Sequence, residues 1–266
     1  MVLDKPCYVS RTWQRNWLQI IEAMKIALVT GAYKGLGFEW CRQLGKQGYK
    51  VILTARELDK AQEAAEQLNV QELVIYPKAL EVTDEKQIQK VARWAMEMFG
   101  RIDLIINNAG INPKDYADKS KMAKAFYLND LDAKEMLDVL HINSIAPLLI
   151  VKHFRELLNK SDNPIVINIS SWLGSVTNLN FGGHYGYVGS KNLLNVLNKS
   201  MANELKNENI ISVNVNPGWV QTDMGGQKAQ FTTEQAVTNI LTNIVSKVTI
   251  VESGEFLNYD GKAYPW

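Results

Sequence analysis

A chain of 266 residues, 46% hydrophobic and 21% charged, has the composition of an ordinary globular protein and can bury most of its unfolded surface in one core. Its 29 basic and 28 acidic residues leave a net charge of +1, which gives neither nucleic acid nor an anionic membrane an electrostatic footing.

Residues 1–23 form an N-terminal extension. Trp13, Trp17, Ile20, Ile21 and Met24 recur at helical spacing there, which predicts one apolar face that caps this chain or a partner subunit. The extension equally suits an upstream start, with Met24 beginning the functional chain, and both readings leave 24–266 as a single unit. Within it, short runs rich in Val and Ile alternate with longer amphipathic stretches. The runs Lys25–Thr30, Lys50–Ala55, Glu72–Pro77, Ile102–Asn107, Ile165–Ser170, Ile211–Val215 and Glu255–Asn258 lack polar alternation, as parallel strands covered on both faces do. Helices are expected over Gly35–Lys46, Leu58–Leu68, Asp84–Phe99, Ala133–Leu158, Tyr187–Lys206 and Thr233–Val245, the last opened by a capping box between Thr232 and Gln235. The alternation predicts an α/β fold with a doubly wound, mostly parallel sheet and ligands at the carboxyl ends of its strands. Ile111–Asp130 stands apart as a polar insertion.

Cys7 and Cys41 make no disulfide framework and no metal spacing, so a cytoplasmic location fits best and no metal is expected. No apolar run approaches the ~20 residues of a membrane helix, and no secretory signal is visible.

The first strand runs into Thr30-Gly31-Ala32-Tyr33-Lys34-Gly35-Leu36-Gly37, and a helix follows at once. Glycines between a strand and a helix let the backbone approach a pyrophosphate, and the helix N-terminus supplies free N–H groups. The loop from Gly31 through Tyr33, Lys34, Gly35, Leu36 and Gly37 is therefore a dinucleotide site. Arg56, at the end of the second strand, suits a ribose 2′-phosphate, and Lys34 adds a second cation, which favours NADPH over NADH. Glu57 dissents, since an inward carboxylate there would take the free ribose of NAD.

Ser170-Ser171 ends the fifth strand, and Tyr187 and Lys191 follow at i and i+4, on one helix face. A free phenol, with a pKa near ~10, is a poor acid–base group at neutral pH. A neighbouring ammonium favours the phenolate, and a serine from another element holds a substrate oxygen against the tyrosine.

The glycine loop, Asn107-Asn108-Ala109-Gly110, Asn143, Ser171, Tyr187-x-x-x-Lys191 and Pro217-Gly218 resemble, in order and spacing, the motifs of the short-chain dehydrogenase/reductase family. The resemblance runs from Met24 to the C-terminus and implies a Rossmann-type sheet of about seven strands. It also implies a tetrad. Tyr187 would protonate a carbonyl oxygen or take a hydroxyl proton, and Ser171 would position that oxygen. Lys191 would bind the nicotinamide ribose and lower the tyrosine pKa, while Asn143 would hold a water linking Lys191 to solvent. Asn108, with Ala109 and Gly110, would steady the strands and the adenosine. Pro217 and Gly218 would lead to Val220 and Thr222 on the carboxamide. Glu81, beside Val82, stands where the family usually has an aspartate that meets adenine. Ser170 could be mistaken for the catalytic serine, but spacing favours Ser171. The stretch Pro217–Gly226, with Tyr259-Asp260-Gly261 and Pro265-Trp266, is more narrowly similar to the C-factor-like and sniffer-like carbonyl reductases.

The activity this implies is hydride transfer between NADPH and an apolar small-molecule carbonyl or alcohol, in a homo-oligomer. Trp172, Phe181, His184, Tyr185 and Trp219 flank the motifs and are candidates for a pocket. Two rival readings keep the fold: imine reduction or reductive cyclisation on the same site, and a non-catalytic NADPH sensor.

Overall fold

The computed structural model describes residues 24–266, so the extension and its apolar face lie outside the described residues. The strands are β1 Ile26–Val29, β2 Lys50–Ala55, β3 Ile75–Ala79, β4 Leu104–Asn107, β5 Ile165–Ile169, β6 Ile211–Asn216 and β7 Phe256–Asn258. All pair in parallel, in the order β3-β2-β1-β4-β5-β6-β7. The order reverses between β1 and β4, and the crevice at such a switch point is where doubly wound sheets bind ligands.

The helices are α1 Gly35–Lys46, α2 Leu58–Asn69, α3 Glu85–Phe99, α4 Lys119–Ala123, α5 Ala133–Leu140, α6 Ala146–Leu158, α7 Tyr185–Leu205 and α8 Thr233–Ile240. Successive strand residues face opposite sides, and both sides are apolar. Ala27 and Val29 pack with Trp40 and Leu44 of α1 and Val237 and Ile240 of α8. Ile26 and Leu28 pack with Ile88 of α3 and Ile150 and Phe154 of α6. This is why β1 reads as an unbroken hydrophobic run. Leu28→Ala, at a fully buried site, would cost about 2–5 kcal/mol.

Local chemistry sets the helix ends. Asp84 caps α3 by accepting from Lys86 N–H and Gln87 N–H, and Gly100 closes it at φ 70°. The capping box opening α8 forms as expected, with Gln235 N–H on Thr232 at 3.1 Å and Thr232 N–H on Gln235 at 3.0 Å.

Several boundaries differ from expectation. β3 starts three residues late because Glu72, at φ 61°, still belongs to the turn that ends α2. The helix expected from Tyr187 begins at Tyr185. The long helix expected over Ala133–Leu158 is interrupted by a π-turn at His141–Ile145, and α8 ends in another at Leu241–Val245. Ala133–Leu158 as a whole also reaches the length and apolarity of a membrane span, contrary to expectation. Its inner face packs against the sheet through Ile150, Val151, Phe154 and Leu158. The polar insertion is ordered into two short 3-10 turns around α4.

Candidate active site

The glycine loop leaves β1 beside β4. Gly31 has φ 60°, and a Cβ there would stand 2.9 Å from Ala109 Cα; a Cβ at Gly37 would fall 2.5 Å from the Asn108 amide nitrogen. Both positions are closed to any side chain. Asn108 Nδ2 donates to the carbonyls of Thr30 and Gly31 at 2.9 and 3.0 Å. Thr30 Oγ1 in return receives the N–H groups of Asn108 and Ala109. The loop is thereby bolted to the end of β4. No side chain caps α1 at Lys34, so its first-turn N–H groups are free to meet an anion. This donor set fits a dinucleotide diphosphate.

Arg56 is exposed after β2. Glu57 forms an exposed pair with Lys60 at 2.8 Å. Lys34 pairs with Asp223 at 2.6 Å, which raises its pKa, and its ammonium lies 5.3 Å from the centre of the Tyr33 ring. Glu81 turns onto Thr83, two residues on, accepting from its N–H and its hydroxyl, beside buried Val82. Leu36 packs against the core under the loop.

The two serines after β5 part company. Ser170 Oγ donates to Asn195 Oδ1 at 2.8 Å within the core. Ser171, in extended backbone, caps the 3-10 turn Trp172–Gly174 by accepting from Leu173 N–H, and its hydroxyl lies near enough to Tyr187 to favour the phenolate. Alternation along an extended chain separates them, and only Ser171 faces the tyrosine.

Tyr187 and Lys191 are both buried on α7. The ammonium lies 5.7 Å from the tyrosine ring centre and donates to Ile169 O at 2.7 Å. The net lowering of the Tyr187 pKa expected beside Lys191 is not found in this structure. Burial dominates and pushes the phenol up to about 12, against a lowering hydrogen bond from Ser171 and with a further rise from the Asp115 charge. Burial also pulls Lys191 down to about 8.

Asn143 sits in the π-turn between α5 and α6, a wide turn that aims its side chain across the site. Oδ1 accepts from Ile111 N–H at 2.8 Å, and Nδ2 donates to Ile111 O at 2.8 Å and Ser190 Oγ at 2.9 Å. Both amide N–H groups are thus taken, so the water-holding role implied by resemblance cannot fall to them. Gly110 separates Asn143 from Lys191: a Cβ there would lie 3.3 Å from Asn143 Oδ1 and 3.9 Å from Lys191 Nζ.

After β6, Pro217 and Gly218 lead to Val220, which bridges Phe231, and to Thr222, whose hydroxyl accepts from Gly225 N–H. Trp219 is half exposed, its indole donating to Gly225 O at 2.7 Å. Trp172, Phe181 and His184 join one aromatic wall, with ring centres 5.9 Å apart at each step. His184 is the N-cap of α7 at φ 56°, and Tyr185 follows it, half-buried.

Three contact residues were not legible in the sequence. Met224 Sδ receives the Tyr187 hydroxyl at 3.7 Å, and Asp223 holds Lys34. Phe126, hidden in the polar insertion, stacks 3.9 Å from His184. Only the glycines around it hinted at the last: Gly186 N–H bonds Ala125 O at 2.8 Å, where a Cβ would press on Ala125 at 3.1 Å.

Comparison with known proteins identifies the family. The family model for short chain dehydrogenase matches residues 25–233. The C-signal protein of Myxococcus xanthus is 32% identical over 167 residues, 63% of this chain and 94% of its own length. An NADPH-bound carbonyl reductase from chicken fatty liver superposes with a TM-score of 0.80 at 31% identity, covering 91% of this chain and 99% of the other. The carbonyl reductase Sniffer of D. melanogaster gives 0.81 at 28%, covering 91% and 100%. With its seven-stranded parallel sheet and its glycine loop at the switch point, the chain belongs to the short-chain dehydrogenase/reductase family of oxidoreductases.

Proposed function

We propose that this protein is an NADPH-dependent carbonyl reductase, or the corresponding alcohol dehydrogenase, with Tyr187 as general acid and base. The observation that carries the reading is the buried meeting of Tyr187, Ser171 and Lys191 at the carboxyl end of β5. The NADPH-bound carbonyl reductase from chicken, at 31% identity over nearly its whole length, supports both the cofactor and the reaction.

The free N–H groups at the head of α1 would hold the diphosphate, and Arg56 and Lys34 the ribose phosphate. Lys191, with Thr222 and the Val220 backbone, would hold the nicotinamide end. When bound, the cofactor supplies or accepts the hydride. Ser171 donates to the substrate oxygen and holds it against Tyr187. The phenol, pushed up to about 12, is protonated at neutral pH and stands ready to give its proton to a developing alkoxide. Lys191, charged below about 8, stabilises the phenolate left behind. The wall of Trp172, Phe181 and His184 favours an apolar substrate.

A panel of ketones, aldehydes, quinones and imines, followed by loss of NADPH absorbance, tests the reading. Turnover of carbonyls that vanishes in Tyr187→Phe is expected. No turnover of any substrate, with NADPH still bound, would favour a sensor.

A further inference from the structure

Three consecutive residues of the segment after β6 touch three parts of the site. Thr222 Cγ2 lies over the glycine loop, 3.5 Å from where a Cβ at Gly35 would stand. The Asp223 carboxylate pairs with Lys34 Nζ at 2.6 Å, and Met224 Sδ receives the Tyr187 hydroxyl at 3.7 Å. The segment otherwise bonds to itself: Trp219 to Gly225, Gly225 to Thr222, Gln221 N–H to Phe231 O at 2.8 Å. One strap thus spans the cleft from the cofactor loop to the catalytic hydroxyl.

Lys34 belongs to a cationic cluster. Its ammonium and that of Lys60 lie 5.3 and 5.6 Å from the Tyr33 ring centre, and exposed Arg56 is four residues before Lys60. Two carboxylates of the protein itself partly neutralise it, Asp223 on Lys34 and Glu57 on Lys60. The Lys34–Asp223 pair is 55% and 80% exposed, so solvent screens it, and such pairs shift an equilibrium by no more than about fivefold. It is weak enough to exchange for a doubly charged phosphate.

We propose that Asp223 is an internal competitor for the ribose phosphate of the dinucleotide. Lys34 exchanges the carboxylate for the phosphate, the strap is released there, and Met224, the next residue, leaves the Tyr187 hydroxyl to the substrate oxygen. Asp223 thereby tunes cofactor choice and couples cofactor seating to exposure of the catalytic group. This rests on the reading of the cleft as an NADPH site.

Dissociation constants of NADPH and NADH, from nicotinamide fluorescence at low and high salt, test it in the wild type, Asp223→Asn, Lys34→Gln and the double variant. Asp223→Asn is expected to tighten NADPH about two- to fivefold and leave NADH within about twofold. The gain should shrink at high salt and vanish without Lys34. Unchanged or weaker NADPH binding, equal tightening of both dinucleotides, or a gain that persists without Lys34 would overturn the proposal. Wild-type protein that binds neither dinucleotide would instead overturn the reading of the cleft, which the unmutated chain alone reveals. Thermal unfolding of the exposed-site variant confirms that its fold is unchanged.

Discussion

Asn143 grips both faces of one residue, accepting from the Ile111 N–H and donating to the Ile111 carbonyl, each at 2.8 Å. With its second N–H on Ser190 Oγ, it ties the loop after β4 to the π-turn and to α7. Asn143→Ala would strand these partners, of which Ser190 is buried and the Ile111 backbone groups are part-buried. At ~1–3 kcal/mol for each buried group left unpaired, the loss of stability should be about 2–5 kcal/mol, and Ser190→Ala should cost about 1–2 kcal/mol. Denaturant titration checks the ranking; equal stabilities would mean that the clamp is replaceable.

Tyr187→Phe keeps the ring and removes only the hydroxyl. Turnover should fall by about 10²–10⁴-fold while NADPH binding and unfolding temperature hold. Tyr185, two residues earlier on the same helix, points to another side of it and should tolerate Phe within about tenfold. Steady-state kinetics on a turned-over carbonyl decide, and a reversed pattern would refute the proton donor assigned.

Burial brings Lys191 down to about 8, so it is charged below that pH and neutral above it. Reduction should hold below about pH 8 and decline through it, with Tyr187 still protonated. A flat rate profile up to pH 10 would contradict this. The same shift has a stability sign. Between about 8 and the ordinary 10.5 the unfolded lysine binds more protons than the folded one, so its contribution to stability rises with pH. Tyr187, raised from 10 to about 12, reverses the trend above pH 10, which thermal unfolding across pH 7–12 will show.

Arg56→Ala should narrow the preference for NADPH over NADH. A charged hydrogen bond to phosphate is worth roughly 1.5–3 kcal/mol, and exposure of Arg56 argues for the lower end, about tenfold. Parallel titrations with both dinucleotides check it, and an unchanged ratio would remove Arg56 from the site.

Leu137, Ile145 and Val196 are exposed along the helices that span 133–158 and 185–205. Apolar residues left open on long helices seek a second copy, so light scattering should give a dimer or larger. A concentration-independent monomer would oppose this.

The repeating Val- and Ile-rich runs determined the parallel sheet, because a strand covered on both faces has no polar alternation to hide it. The glycine loop and the Tyr187–Lys191 spacing were equally legible, since each depends on neighbours within one turn of chain. Glu72 shows where such reading stops, its left-handed turn delaying β3 with no glycine to announce it. What lay out of reach arises between segments far apart in sequence. Asp223 finds Lys34 across 189 residues, Met224 finds Tyr187 across 37, and Phe126 reaches His184 from an insertion that reads as polar. The Tyr187 pKa belongs to the same class. Spacing alone says that an ammonium is near and should lower it. Only the packed structure supplies the depth of burial, and desolvation outweighs a cation 5.7 Å from the ring.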